Sequence, residues 1–244
     1  MRLDKFLCDM GLGTRSQVKE GIKKGLVQVD GSLCKRPETQ VTEQQTITWQ
    51  GRSVSYVTLE YYMLHKPAGV LSATEDKRQQ TVLDLIDTRK RKDLFPVGRL
   101  DKDTEGLLII TNDGPLAHSL LSPKRHVDKV YFAKVEGDLR PEYAEQFAKG
   151  LDIGDEKLTM PAKLEILKQG TPGTSNAPGE ESEILLTIRE GRFHQVKRML
   201  EAVDCKVTYL KRLSMGPLKL DESLAPGEYR PLTEKEVQML KEWN

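Results

Sequence analysis

Apolar and polar positions alternate in short stretches along the chain, and glycine, proline and asparagine turns punctuate them. Leu3, Phe6 and Leu7 recur at helical spacing and stop at Gly11-Leu-Gly. Val18 and Ile22 mark a second helix, which Thr14 caps and Gly25 ends. Residues 26–33 read as two short strands around an Asp30-Gly31 turn. Residues 46–49 add a strand, 50–53 read as a linker, and a domain boundary is expected near residue 60. Beyond it the pattern predicts a strand turning at Pro67, a polar stretch at 74–80 and a short helix over 82–86. An apolar lead-in at 95–97 and a strand at 107–110, closed by Asn112-Asp113-Gly114, come next, followed by a brief helix at 116–121. Residues 129–136 alternate with period two, so Tyr131, Ala133 and Val135 share a face. A helix at 141–149 and strands at 162–167 and 183–188 follow, with a Gly/Pro/Ser-rich surface loop at 169–181. Phe193, Val196, Met199, Leu200 and Val203 fall at helical spacing and are expected to form a buried stripe. Thr233 opens a last helix over 234–243.

Composition narrows this picture. A chain of 244 residues with 37% hydrophobic and 31% charged positions can bury a core in one domain or two. No apolar run approaches the roughly 18 residues that a membrane helix needs, and the charged start is unlike a secretion signal. Cys8, Cys34 and Cys205, an odd and scattered set, fit free thiols in a reducing compartment, so a cytoplasmic protein is expected. The net charge of +1 conceals a local imbalance: residues 1–40 hold eight Lys/Arg against five Asp/Glu. Arg15, Lys19 and Lys23 recur every fourth residue on one helix face, with Lys24, Lys35 and Arg36 nearby, a surface suited to tracking phosphates.

Two stretches carry candidate chemistry. Between Gly98 and Gly106 stand Arg99, Asp101, Lys102, Asp103 and Glu105, five charges within seven positions on a loop between apolar segments. Spacing alone does not choose among these carboxylates. The second stretch, E-G-R-F-H-Q-V-K-R-M at 190–199, keeps Arg192, Lys197 and Arg198 off the apolar stripe. There is no phosphate loop, no dinucleotide fingerprint and no Cys/His ligand spacing. His65, His118, His126 and His194 are dispersed, so neither a metal nor a cofactor is expected.

G-R-L-D followed by D-T-x-G-L-L closely resembles the catalytic motif of the RNA pseudouridine synthases, in the branch that modifies ribosomal RNA. L-x-K-P-x-G-x-x-S at 64–72, K-x-Y at 129–131 and the 190–199 stretch resemble that family's other motifs. Residues 1–45 resemble the small RNA-binding domain named after ribosomal protein S-four. The likeness spans nearly the whole chain and implies an α+β protein: a small N-terminal α/β RNA-binding module over 1–60, then a mixed, mainly antiparallel catalytic sheet with flanking helices over 61–244. It implies that Asp101 is the essential carboxylate, that Tyr131 stacks on the target base and that Arg192 pairs with Asp101. A guanidinium within about 4 Å would oppose the proton uptake that a closed pocket favours. Asp103 is assigned to holding the loop, and His194 to a structural or RNA-facing place. Arg15, Lys19, Lys23, Lys24, Lys35, Arg36, Lys66, Arg99, Lys197 and Arg198 are implied RNA contacts. The expected activity is isomerisation of a specific uridine in small-subunit ribosomal RNA, without cofactor, by a monomer acting in an assembling subunit. A large-subunit ribosomal RNA enzyme and a non-catalytic assembly factor are the alternatives.

Overall fold

The computed structural model describes residues 1–54, 59–87, 93–122, 125–173 and 179–243. It divides into two compact units, Met1–Glu60 with Asp87–Leu94, and Tyr61–Ile86 with Phe95–Asn244.

The first unit opens with α1 (Leu3–Asp9) and α2 (Arg15–Lys23). Thr14 caps α2 in a reciprocal capping box with Gln17, satisfying donors that the first helical turn leaves free. Strands β1 (Val27–Val29), β2 (Ser32–Cys34), β3 (Ile47–Trp49) and β4 (Arg52–Val54) form an antiparallel sheet in the order β2-β1-β3-β4. Asp30 and Gly31 both have positive φ, as a tight hairpin turn requires. Gln50 and Gly51 repeat this conformation, so the expected linker at 50–53 is instead the β3–β4 turn and the start of a strand. Leu3, Phe6, Leu7, Val18, Ile22, Val27, Val41 and Ile47 make the core of this unit.

The second unit is built on one large sheet. Its strands are β5 (Tyr61–Lys66), β6 (Phe95–Pro96), β7 (Glu105–Thr111), β8 (Lys129–Glu136), β9 (Lys163–Lys168), β10 (Ser182–Ile188), β11 (Lys206–Met215), β12 (Leu218–Lys219) and β13 (Tyr229–Pro231). They run in the order β13-β5-β7-β11-β8-β10-β9, with β6 paired to β7 and β12 to β11. All pairings are antiparallel except β7 with β11. The helices are α3 (Gly114–Leu121), α4 (Tyr143–Lys149), α5 (Gln195–Glu201) and α6 (Glu234–Glu242), and Val82–Leu85 is a 3₁₀ turn. Met63, Leu107, Ile109, Leu116, Leu120 and Leu240 share one core cluster on the α3/α6 side of the sheet. The loop expected at 169–181 is anchored at its described ends, where Thr171 and Glu180 pair backbone to backbone; residues 174–178 lie outside the described part.

β7 is buried along nearly its whole length, and its start sets the position of the charged loop before it. Gly106 has φ +105°, and a Cβ there would lie 2.3 Å from the carbonyl oxygen and 2.6 Å from the nitrogen of Arg212. The parallel register of Arg212 against Gly106 therefore admits glycine alone. Gly106→Ala is expected to lower stability by at least about 2 kcal/mol, measured by urea unfolding, because it combines backbone strain with overpacking. Unchanged stability would mean that the two strands can separate there without loss.

Candidate active site

The loop from Arg99 to Thr104 is held from below by the segment after β5. Leu100 exchanges two hydrogen bonds with the Ser72 hydroxyl: its N–H donates to Oγ at 3.0 Å, and Oγ donates to its carbonyl at 2.8 Å. The Gly69 N–H donates to the Lys102 carbonyl at 2.7 Å. Lys66 is fully buried, and its ammonium donates to the carbonyls of Pro67, Lys102 and Thr104 at 3.0, 3.2 and 2.8 Å. Burial pushes the Lys66 amine down to about 8, and Asp103, Glu105 and Asp101 only partly offset this. The expected RNA contact at Lys66 is thus corrected. Its charge lies inside the fold, where it gathers the carbonyls of the loop that carries Asp101.

Above the loop lies α5. Lys197 donates to both carboxylate oxygens of Asp103, at 2.7 and 2.8 Å, and its ammonium stands 3.4 Å from Oδ2 of Asp101. Nε2 of His194 is 3.7 Å from Oδ1 of the same carboxylate. Burial alone would lower the Lys197 pKa, but Asp103 and Asp101 outweigh it and hold the ammonium above the ordinary lysine value. Burial likewise opposes ionisation of Asp103, and the Lys197 hydrogen bond and charge reverse it, keeping that carboxyl below its usual range. One cation thus faces two carboxylates whose mutual repulsion would otherwise splay the loop.

The expected pairing of Arg192 with Asp101 does not occur. Arg192 Nε binds Glu190 at 3.0 Å, Nη1 binds Asp155 at 3.2 Å and the Lys157 carbonyl at 2.7 Å, and Nη2 binds the Leu158 carbonyl at 2.7 Å. Arg198 joins the same clamp. It donates to Asp155 at 2.6 Å, to the Ile153 carbonyl and to the Phe193 carbonyl. Both guanidiniums hold the 153–158 loop, so Arg198, expected as an RNA contact, is committed to the protein's own backbone. Lys197, expected only as an RNA contact, takes the place beside Asp101.

Tyr131 is 7% exposed on β8, where it lies directly opposite Arg212 of β11 and shares its face of the sheet. Arg212 is buried. Its Nε donates to the Leu107 carbonyl at 2.8 Å, and its Nη2 has no hydrogen-bond partner among the described residues. Arg99 is exposed. Phe193, expected in the buried stripe, is 74% exposed. α5 begins only at Gln195, and His194 before it is in the left-handed conformation, which puts Phe193 out of phase with the helix. No group of three or more His, Cys, Asp or Glu side chains is placed to hold a metal ion among the described residues. None of their helices is long and apolar enough to cross a membrane.

In the first unit, Asp4 is fully buried and collects Arg2 at 2.9 Å, Arg15 at 3.9 Å and Lys19 at 4.0 Å. The hydrogen bond from Arg2 is the main cause holding its carboxyl below the usual range. Arg15 and Lys19 remain substantially exposed, as do Lys23, Lys24, Lys35 and Arg36. Lys24 also pairs with Glu20 at 2.7 Å.

Comparison with known proteins matches residues 60–202 to the family described as RNA pseudouridylate synthase and residues 1–47 to the S4 domain. The chain belongs to the RNA pseudouridylate synthase family. It is 48% identical to an uncharacterized RNA pseudouridine synthase of Bacillus subtilis (strain 168), over 99% of each chain. It is 44% identical to the ribosomal small subunit pseudouridine synthase A of Vibrio cholerae, over 97% of this chain and 98% of that one. A crystal structure of a pseudouridylate synthase superimposes with a TM-score of 0.68 at 36% identity, covering 98% of this chain and 99% of that chain. As a member of this family the protein is an isomerase: an N-terminal RNA-binding domain precedes the domain that turns uridine into pseudouridine.

Proposed function

We propose that the protein isomerises one specific uridine of small-subunit ribosomal RNA, with Asp101 as its catalytic carboxylate. The observation that carries this is Asp101 itself, on a loop braced at Leu100, Lys102 and Thr104 and set 3.4 Å from the Lys197 ammonium. The substrate class is supported by the full-length likeness to the Vibrio cholerae enzyme named for the small subunit.

The reaction breaks the bond from base nitrogen to sugar, turns the base, and forms a bond from base carbon to the same sugar carbon. The ring nitrogen gains a proton and the ring carbon loses one. Atoms are rearranged within one nucleotide, so no group or electron pair leaves or enters, and the chemistry asks for no cofactor. A carboxylate at the sugar–base junction serves either by attacking a carbon of the nucleotide or by taking a sugar proton. Lys197 then stays protonated through neutral pH and fixes the carboxylate's orientation. Tyr131 supplies a flat surface for the base that has been swung out of its stack, a movement that costs a few kcal/mol. Arg99 fills the vacated space or holds a phosphate. Arg15, Lys19, Lys23, Lys24, Lys35 and Arg36 add a tethered phosphate-tracking contact. The protein acts as a cytoplasmic monomer on RNA in an assembling small subunit.

Asp101→Asn is expected to abolish pseudouridine formation in small-subunit ribosomal RNA while RNA affinity stays within about twofold of wild type. Chemical mapping of the modified base, with a filter-binding titration, checks both; full turnover by the variant would remove Asp101 from the chemistry. Replacing Arg15, Lys19 and Lys23 together with alanine should reduce the slope of log affinity against log salt by about 2–3, since each phosphate contact contributes roughly 0.7–0.9. An unchanged slope would make that helix face a bystander.

A further inference from the structure

An aromatic pair stands exposed beside the catalytic carboxylate. The rings of Phe193 and His194 are stacked, with centroids 3.8 Å apart and planes inclined by only 19°. Phe193 is 74% exposed, the most exposed of the large hydrophobic side chains described, and belongs to neither core cluster described above. Water gains nothing from a phenyl ring held in this way. Yet the ring is held, from both sides of the peptide. Arg198 Nη1 donates to the Phe193 carbonyl at 3.1 Å, while His194 adopts φ 47°, ψ 34°, a conformation uncommon for a residue with a side chain. On its other side His194 turns Nε2 toward Asp101. The pair thus forms a short stack whose inner member touches the catalytic carboxylate and whose outer member is open to solvent.

We propose that Phe193, backed by His194, is a stacking platform for an unpaired RNA base flanking the target uridine. This rests on the reading of Asp101 as the isomerising carboxylate. Any nucleotide whose sugar lies against Asp101 has its chain neighbour about one nucleotide step away, the distance over which the stack extends. A flat ring with one face already covered by a second flat ring extends the stack that the neighbour loses when the uridine leaves it. Every base has a π-face, so the platform adds affinity and register and leaves base choice to other contacts. Lys197 and Arg198 are already paired with Asp101, Asp103 and Asp155, so the platform's contribution is the ring face and not local charge. Phe193 positions the RNA; it is not a catalytic residue.

The test compares wild type, Phe193→Leu and Phe193→Trp on a small-subunit ribosomal RNA transcript, free and partly assembled with ribosomal proteins, under single turnover with enzyme in excess. Leucine keeps an apolar side chain of similar bulk and removes the π-face. It should raise the half-saturating enzyme concentration roughly 5- to 100-fold, with the rate at saturation changed less than threefold. Tryptophan should restore the wild-type concentration, and its added emission should be quenched by RNA, relative to wild type with Trp49 and Trp243 titrated alike. A wild-type half-saturation for Phe193→Leu, or unquenched emission from Phe193→Trp, overturns the platform. Quenching by the small-subunit RNA, with no pseudouridine formed in it by the wild-type enzyme, would instead overturn the reading of the substrate and leave the stacking surface standing.

Discussion

One ammonium group organises the site. Lys197 stands between Asp101 and Asp103, two carboxylates on one tight loop, and the loop's charge is tolerable because that cation is there. Unit charges about 4 Å apart at an effective dielectric near 20 attract by about 4 kcal/mol, and by much less where solvent screens them, as at the 69% exposed Asp103 side chain. Without Lys197 the two carboxylates would lose the ammonium that both of them face. With it they are drawn to the first turn of α5, and α5 in turn fixes where Arg192, His194 and Phe193 lie. Geometry thus follows from charge balance across residues that are 94 positions apart.

The rest of the second unit makes this balance rigid. Lys66 binds three carbonyls from the end of β5, Ser72 closes on Leu100, and Gly106 lets β7 approach the Arg212 backbone. On the other side of α5, Arg192 and Arg198 draw in the 153–158 loop through Asp155 and backbone carbonyls. Burying a lysine at Lys66 with no carboxylate in hydrogen-bond contact among the described residues is costly, as its lowered pKa reflects. The gain is a loop whose backbone has several fixed points before any RNA arrives, which is what preorganised catalysis requires.

Local signals in the sequence were dependable where the physics is local. Thr14 and Thr233 cap their helices because Gln17 and Glu236 stand three residues on, and Asp30-Gly31 makes its turn because both residues accept positive φ. The α+β class and the motif loop were likewise readable. Gln50-Gly51 reads as a linker because the same turn chemistry sits among polar residues with no apolar strand to announce β4. Phe193 falls in the predicted stripe only if the helix has already begun, whereas the left-handed His194 resets the phase. Lys66 is implied as an RNA contact by the motif it stands in, whereas the packing of the sheet puts it inside. Arg192 and Lys197 could not be told apart by spacing: which of two cations on one short segment meets Asp101 depends on α5's rotation, a tertiary fact.

The most direct measurement is the single-turnover rate of pseudouridine formation by Lys197→Met and by Arg192→Met, with hydrogen exchange across residues 153–160 followed in both. If Lys197 is the cation that holds the catalytic carboxylate, its loss slows the chemical step by about 100-fold or more, Lys197→Arg recovers most of it, and exchange in the loop is unaltered. Arg192→Met then shows its main effect as faster exchange in the loop. A wild-type rate from Lys197→Met, together with a lost chemical step and a protected loop in Arg192→Met, would contradict the arrangement and return the ion pair to the arginine.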